Sequence, residues 1–233
     1  MMETEQFVGI DGSKLGWVAV FASRYDFVDA KCIFVNNLVD LTKTISPTAK
    51  IVIDIPIGLE INQPQRECDK LGRQFLGSRR STLFSPPCRD AIEENSFESA
   101  NITNKRKVGI GLSKQSWFLR NKIIEARSAI SCGLLLKEGH PECSFAAVNG
   151  SPILSKKKTV KGILKRLKCL SELGFDSEQI VSDLPEHRGF KIDDYLDAAI
   201  LCWTASRVSV GKHFTFPPTI PNNLGALECT IYV

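Results

Sequence analysis

Four aspartates of this 233-residue chain stand in surroundings that do not suit an acid. Asp54 sits within the apolar run IVIDIPIGL at 51–59, and Asp11 ends the run FVGID. Asp194 and Asp197 open the segment DDYLDAAILCWTASRVSV, where i, i+3 spacing puts both on one helix face. An ionised carboxylate among apolar side chains needs a counter-charge, a proton, a metal ion or a wet strand end. Each acid also has a plain structural use. Asp11 can hold a hairpin turn through a side-chain to backbone bond, and Asp193 or Asp194 can cap the helix and complement its dipole. Asp197 lies past the capping positions, between Leu196 and Ala198, which leaves the exposed edge of a buried helix or a ligand position.

Taken together the acids point to chemistry. In an open α/β sheet, ligand sites form beyond the carboxyl ends of the parallel strands. Acids on two such strands and on a helix beside them can meet at one point. Hard oxygen ligands without His or Cys suit Mg²⁺ or Mn²⁺. Two such ions ~3.5–4 Å apart stabilise the attacking and leaving oxygens of a phosphodiester displacement. On this reading Asp54 is best taken as a metal ligand.

The elements that must position them read as α/β. FVGIDGSKLGWVAVF is a hairpin signal with a Gly-flanked turn, and FVDAKCIFV continues as a third strand. NNLVDLTKTI predicts a short helix capped by Asn36 or Asn37, and AKIVIDIPI an apolar strand of the sheet interior that contains Asp54. Residues 60–110 are polar and poorly periodic, an excursion with a short helix near 65–76. SKQSWFLRNKIIEARSAI predicts one helix, GLLLKEGHPECSF a strand ending near His140, and KTVKGILKRLKCLSELGF an amphipathic helix stopping at Gly174. The segment from Asp193 is apolar nearly all round and predicts a buried helix, and LGALECTIYV a closing strand. A single domain over 1–233 with an insertion at roughly 60–130 follows.

Composition narrows the function classes. An apolar fraction of 43% builds an ordinary core. No run approaches the ~20 apolar residues of a membrane span, and the start MMETEQFVGI lacks the basic and apolar regions of a signal peptide. A cytoplasmic location is the expectation. Eight scattered cysteines without a C-x-x-C pair, and three histidines (His140, His187, His213), read as reduced hydrophobes rather than a zinc or disulfide framework. The net charge of +4 permits an anionic partner without demanding one.

The acids in GIDG, DIP and DDYLDAAI are similar to the layout of RNase H-like nucleases, and the Asp-x-x-Asp-Ala pattern resembles that of RuvC-type resolvases. More specifically, GIDGSKLGWV, DIPIGL, RECDKLGRQFLGSRRSTLFSPPCR, LSKQSWFL, HPECSF, SKKKTVKGILKRL and DDYLDAAILCWTASR resemble the domain of unknown function 429 family, described as predicted RNase H-like nucleases. The resemblance spans about residues 7–231. It implies an RNase H-like fold, with a mixed five-stranded sheet flanked by helices, a helical insertion after the fourth strand and an extra C-terminal strand. It places Asp11, Asp54, Asp194 and Asp197 at metal-ligand positions. Glu142 follows the fifth strand, as a further ligand or an acid paired with Arg, and His140 stands as a general acid or base. Ala126 and Arg127 stand where the family often carries an acid after Glu125, so Glu125 is given no role.

The segment LGSRRSTLFSPPCR supplies phosphate donors in Arg79, Arg80, Ser81 and Arg89, since Arg forks bind phosphate bidentately. Gln115 adds an amide, Trp117 a stacking face or a core residue, and Lys156 a cation for the leaving phosphate or a solvated side chain. The expectation is a Mg²⁺- or Mn²⁺-dependent hydrolase of nucleic acid, DNA or RNA, with the oligomeric state left open and a homodimer among the options. Two other classes stand beside it. One is a non-catalytic nucleic-acid or anion-binding module. The other is an ATP-using enzyme of the actin and sugar-kinase type, which wants a duplicated half that this chain lacks.

Overall fold

The computed structural model describes residues 5–182, 191–219 and 227–233. Strands β1 (Phe7–Gly12), β2 (Trp17–Ala22) and β3 (Lys31–Val35) form an antiparallel meander. A 3-10 helix at Leu38–Lys43 follows, with the Asn37 side chain accepting from the Asp40 amide as its cap. Strand β4 (Lys50–Ile53) runs parallel to β1, and β5 (Leu136–Glu138) parallel to β4. The order β3-β2-β1-β4-β5 is the mixed five-stranded sheet expected, and it is consistent with an RNase H-like fold.

Between β4 and β5 lie α1 (Glu67–Leu76), a 3-10 helix at Gly77–Thr82, α2 (Arg89–Ile92), α3 (Phe97–Val108), α4 (Lys114–Phe118) and α5 (Arg120–Ser131). The single helix predicted from SKQSWFLRNKIIEARSAI is divided at Leu119. Its second half, α5, buries Ile123, Ala126 and Ala129 against the sheet. That 3–4 spacing makes α5 a layer of the fold, so the insertion predicted at 60–130 ends short of it. After β5 come α6 (Pro141–Asn149), α7 (Val160–Glu172), α8 (Ser177–Ser182) and α9 (Ile192–Ser209). Strands β6 (Thr215–Phe216) and β7 (Ile231–Tyr232) pair antiparallel, and Tyr232 forms a parallel bridge to Gly139 beyond β5. The predicted closing strand reduces to β7, and residues 224–226 of it lie outside the described residues, as does His187.

The sheet is covered on both faces, and strand alternation decides which residue meets which cover. Val8, Ile10, Ile51 and Ile53 pack with Leu38, Leu41 and α5. Phe7 and Val52 pack with α9 on the other face. Gly9 and Asp11 continue the parity of Phe7, and Asp54 that of Val52. Period two therefore turns both acids toward α9. Five of the eight cysteines (Cys68, Cys88, Cys143, Cys169, Cys202) are buried, as the reading of them as small hydrophobes requires. Among the described residues no helix is long and apolar enough to cross a membrane.

Candidate functional site

Strand register joins the first two acids. Asp54, read from the sequence as lying within its strand, is the first residue beyond β4, and its amide donates to the Ile10 carbonyl at 2.9 Å. The β1–β4 pairing ends at Ile10 opposite Ile53, so one further step sets Asp54 beside Asp11, on chains ~4.8 Å apart. The other two acids arrive on α9. Gly9 admits that helix: a Cβ there would meet the Ala198 carbonyl and the Cys202 amide at 2.1 Å. From Gly9 to Asp11 is ~6.6 Å of strand, and four residues back along α9 is ~6 Å of helix. That step leads from Ala198 at the Gly9 contact to Asp194, and Asp197 immediately precedes Ala198. All four aspartates, with Glu142 and His140, line one cavity of about 610 Å³.

Crowding of like charge away from water governs the electrostatics. Burial, then Asp197 and Asp54, hold the Asp11 carboxyl well above the usual carboxylate range. Burial pushes Asp197 up to about 7 against the pull of Lys157. Burial and Asp193 push Asp194 up to about 6, opposed by its capping bond, in which Oδ2 accepts from the Lys191 amide at 3.2 Å. Asp194 thus serves as a cap and still faces the cavity. Into this cluster projects Lys157, whose Nζ donates to Asp197 Oδ2 at 2.5 Å and lies 3.9 Å from Asp193. Burial draws the ammonium's pKa down, but Asp197, Asp11 and Asp54 outweigh it and hold the lysine above its ordinary value.

As placed, no three His, Cys, Asp or Glu side chains among the described residues stand close enough to grip one metal ion. The donor set nonetheless fits a hard divalent cation. Four carboxylates and the Lys157 ammonium line one cavity, and Asp197 Oδ1 and Glu142 Oε2 are buried without a hydrogen-bond partner.

Glu142 begins α6, and its Oε1 accepts from Arg166 Nη2 at 2.5 Å and from Arg79 Nη2 at 3.5 Å. Of the two uses expected of this acid, pairing with Arg is therefore present. Arg166 is wholly buried and also donates to the Ser155 and Gly162 carbonyls, which ties the 155–158 loop to α6. Gly162 lets that loop lie close, since a Cβ there would meet the Lys156 carbonyl at 2.0 Å. His140 lies on the cavity wall with Nε2 3.4 Å from the Thr82 carbonyl and Nδ1 buried without a partner.

The cavity floor carries a second buried network. Arg66 donates to both oxygens of Asp69 at 2.9 and 2.5 Å and to both oxygens of Glu138 at 2.8 and 2.7 Å. Glu138 ends β5 and also accepts from the Ile57 amide at 2.8 Å. Burial pushes Glu138 up to about 7 even beside Arg66. α1, which opens the insertion, is pinned to the sheet at this point.

The expected phosphate-binding residues divide. Arg79 and Lys156 line the acid cavity. Arg80 and Ser81 do not; they face a neighbouring hollow. In a 3-10 helix, positions i and i+3 eclipse, so Arg79 shares its face with Thr82 while Arg80 and Ser81 turn away. Arg89 opens α2, its amide bonded to the Glu60 carbonyl at 2.9 Å, and lines neither space. Gln115 points to solvent from the first turn of α4 and is likewise apart. Trp117 is half-buried against the insertion's own core. Glu125 is structural: its Oε1 accepts from Trp17 Nε1 at 2.9 Å and the Leu38 amide at 2.8 Å.

Sequence reasoning missed Lys157, Arg166 and two aromatics on the cavity rim, Phe84 and Phe118. Arg166 had a signal, because it falls on the buried stripe of Gly162, Cys169 and Leu170 in α7. Phe84 had one as a lone aromatic in a polar loop. Lys157 had none that separates it from Lys156 and Lys158.

No curated protein and no solved structure matches this chain. The family model described as "Protein of unknown function (DUF429)" matches residues 9–221, and the chain belongs to that family.

Proposed function

We propose that this protein is a divalent-metal-dependent phosphodiesterase of nucleic acid, with water as the nucleophile. One observation carries the reading: Asp11, Asp54, Asp194 and Asp197 reach a single cavity that also holds Arg79 and Lys156. Carboxylates for Mg²⁺ or Mn²⁺ and cations for phosphate are the two halves of such a site. The four aspartates would hold the metal, which when bound polarises the phosphodiester and lowers the pKa of water. Arg79 and Lys156 bind and orient phosphate oxygens. Glu142, neutralised by Arg166, is a ligand or anchor rather than a base. His140, whose Nε2 faces the Thr82 carbonyl and whose Nδ1 is unpartnered, serves as the general acid or base.

The Lys157–Asp197 pair supports a second reading, a nucleic-acid-binding module in which the lysine permanently balances the acids. Mn²⁺ titration by calorimetry, with cleavage of a labelled oligonucleotide in Mn²⁺ and in EDTA, separates the two. The catalytic reading expects saturable Mn²⁺ binding that Asp54→Asn removes, and EDTA-sensitive cleavage. Absence of an aspartate-dependent Mn²⁺ site overturns it.

A further inference from the structure

The acid cavity does not end at its own wall. Leu83 and Phe84 line both it and a second hollow of about 450 Å³. Phe84 stands 42% exposed on the ridge they share. The second hollow has a character of its own: Arg73, Arg80, Ser81 and Ser113 face it. Arg73 is held in place by neutral oxygens, donating from Nε to the Leu83 carbonyl at 3.0 Å and from Nη2 to Ser85 Oγ at 2.8 Å. Around the acid cavity every arginine is paired, Arg66 with Asp69 and Glu138, Arg79 and Arg166 with Glu142. Among the described residues neither Arg73 nor Arg80 has a carboxylate partner. Two uncompensated guanidiniums, one pre-set in direction, make a hollow that favours an anion.

Resting on the reading of the acids above, we propose that the two hollows form one groove for a single-stranded polynucleotide. The scissile phosphodiester lies at the aspartates, the adjoining base stacks on Phe84, and the next phosphate meets Arg73 and Arg80. Each hollow has the volume that encloses one small ligand, so together they take neighbouring nucleotides. The single strand follows from Phe84. A ring on a ridge stacks with a base whose face is free, whereas an intact duplex keeps its faces covered and resists unstacking. Phe118, 76% exposed and lining the acid cavity, offers a second such face.

The test is fluorescence anisotropy with labelled ten-nucleotide oligothymidylate and oligouridylate, and with a duplex of the same length, with Ca²⁺ replacing Mg²⁺. Both single strands should bind at least tenfold more tightly than the duplex, and the DNA-to-RNA ratio reports the sugar preference. Phe84→Ala should weaken single-strand binding by ~5- to 100-fold, and Phe84→Tyr should keep it. Arg80→Ala should flatten the log–log salt slope by ~0.7. Duplex bound as tightly as single strand, or no effect of Phe84→Ala, overturns the groove. Hydrolysis of bis(p-nitrophenyl) phosphate by the wild-type protein with Mn²⁺ tests the acids alone, because this diester is too small to span both hollows. If it is hydrolysed while Phe84→Ala binds oligonucleotide normally, the groove fails and the phosphodiesterase reading stands. If it is not, while single strands bind through Phe84, the reverse holds.

Discussion

Lys157 Nζ lies 2.5 Å from Oδ2 of Asp197, while Oδ1 of the same carboxylate is buried without a partner. One half of this acid is thus satisfied by a positive charge supplied by the protein itself, and the other half is open. A divalent ion entering the cluster competes with that ammonium. Lys157→Gln should therefore bind Mn²⁺ several-fold more tightly than wild type in calorimetry. The same variant should lose ~1–2 kcal/mol of metal-free stability, at the low end for a buried pair because the lysine is partly exposed. Weaker Mn²⁺ binding in the variant would count against competition.

Metal-free stability should fall as pH rises from 5 to 8. Asp194 and Asp197 are raised to about 6 and about 7, and Asp11 is raised as well. Unfolded, these acids ionise near 4, so between that value and 7 the folded protein holds more protons than the unfolded one. Stability then decreases with pH across the window, by on the order of 3 kcal/mol. Thermal unfolding in EDTA at unit steps of pH reads this directly, and saturating Mn²⁺ should flatten the curve. A metal-free protein most stable at pH 8 contradicts the crowding of these carboxylates.

Asp54→Asn should remove one charge from the cluster without removing a structural bond, because it is the backbone amide of Asp54 that pairs with Ile10. The expected result is an EDTA-state melting temperature unchanged or raised by ~2–4 °C, with Mn²⁺ binding abolished. A sharp loss of folding would make Asp54 a structural residue.

Arg166→Met should be severe. It strips the nearer of two arginine partners from buried Glu142, leaving Arg79 at 3.5 Å, and the donor from the Ser155 and Gly162 carbonyls. Breaking a buried pair from one side costs about 3–5 kcal/mol. Urea unfolding should show that loss, and pairing the change with Glu142→Gln should recover part of it. Equal stability of the double and single variants would show that the backbone bonds, not the ion pair, dominate.

The aspartates were readable because period two is strict. A strand whose even or odd positions are apolar commits its remaining positions to the opposite face, so Asp11 and Asp54 had to emerge together once β1 and β4 paired in parallel. Gly9 was a further sign that something approaches closely, and that something is α9. The insertion was far less readable. Its short helices are held by local capping such as Ser96 to Ser99 and Ser113 to Ser116, which leaves no long periodic pattern. Which of two adjacent arginines faces the acids depends on a 3-10 turn between Gly77 and Thr82, a geometry that composition does not announce. In the same way three consecutive lysines look alike until the fold of the 155–158 loop, set by Arg166 and Gly162, singles out Lys157.

The Arg66 junction has a consequence for how this molecule can change over time. Glu138 belongs to the sheet and Asp69 to the insertion, and one guanidinium satisfies both. Deleting the insertion would leave buried Glu138 without its counter-charge, holding only the Ile57 amide, and grafting it onto another sheet would leave Arg66 with Asp69 alone. Such excisions are destabilising by several kcal/mol at a stroke, with no small intermediate steps. The wall that carries Arg79, Arg80 and Phe84 is therefore coupled in stability to the strands that carry Asp11 and Asp54, through one guanidinium shared by Asp69 and Glu138.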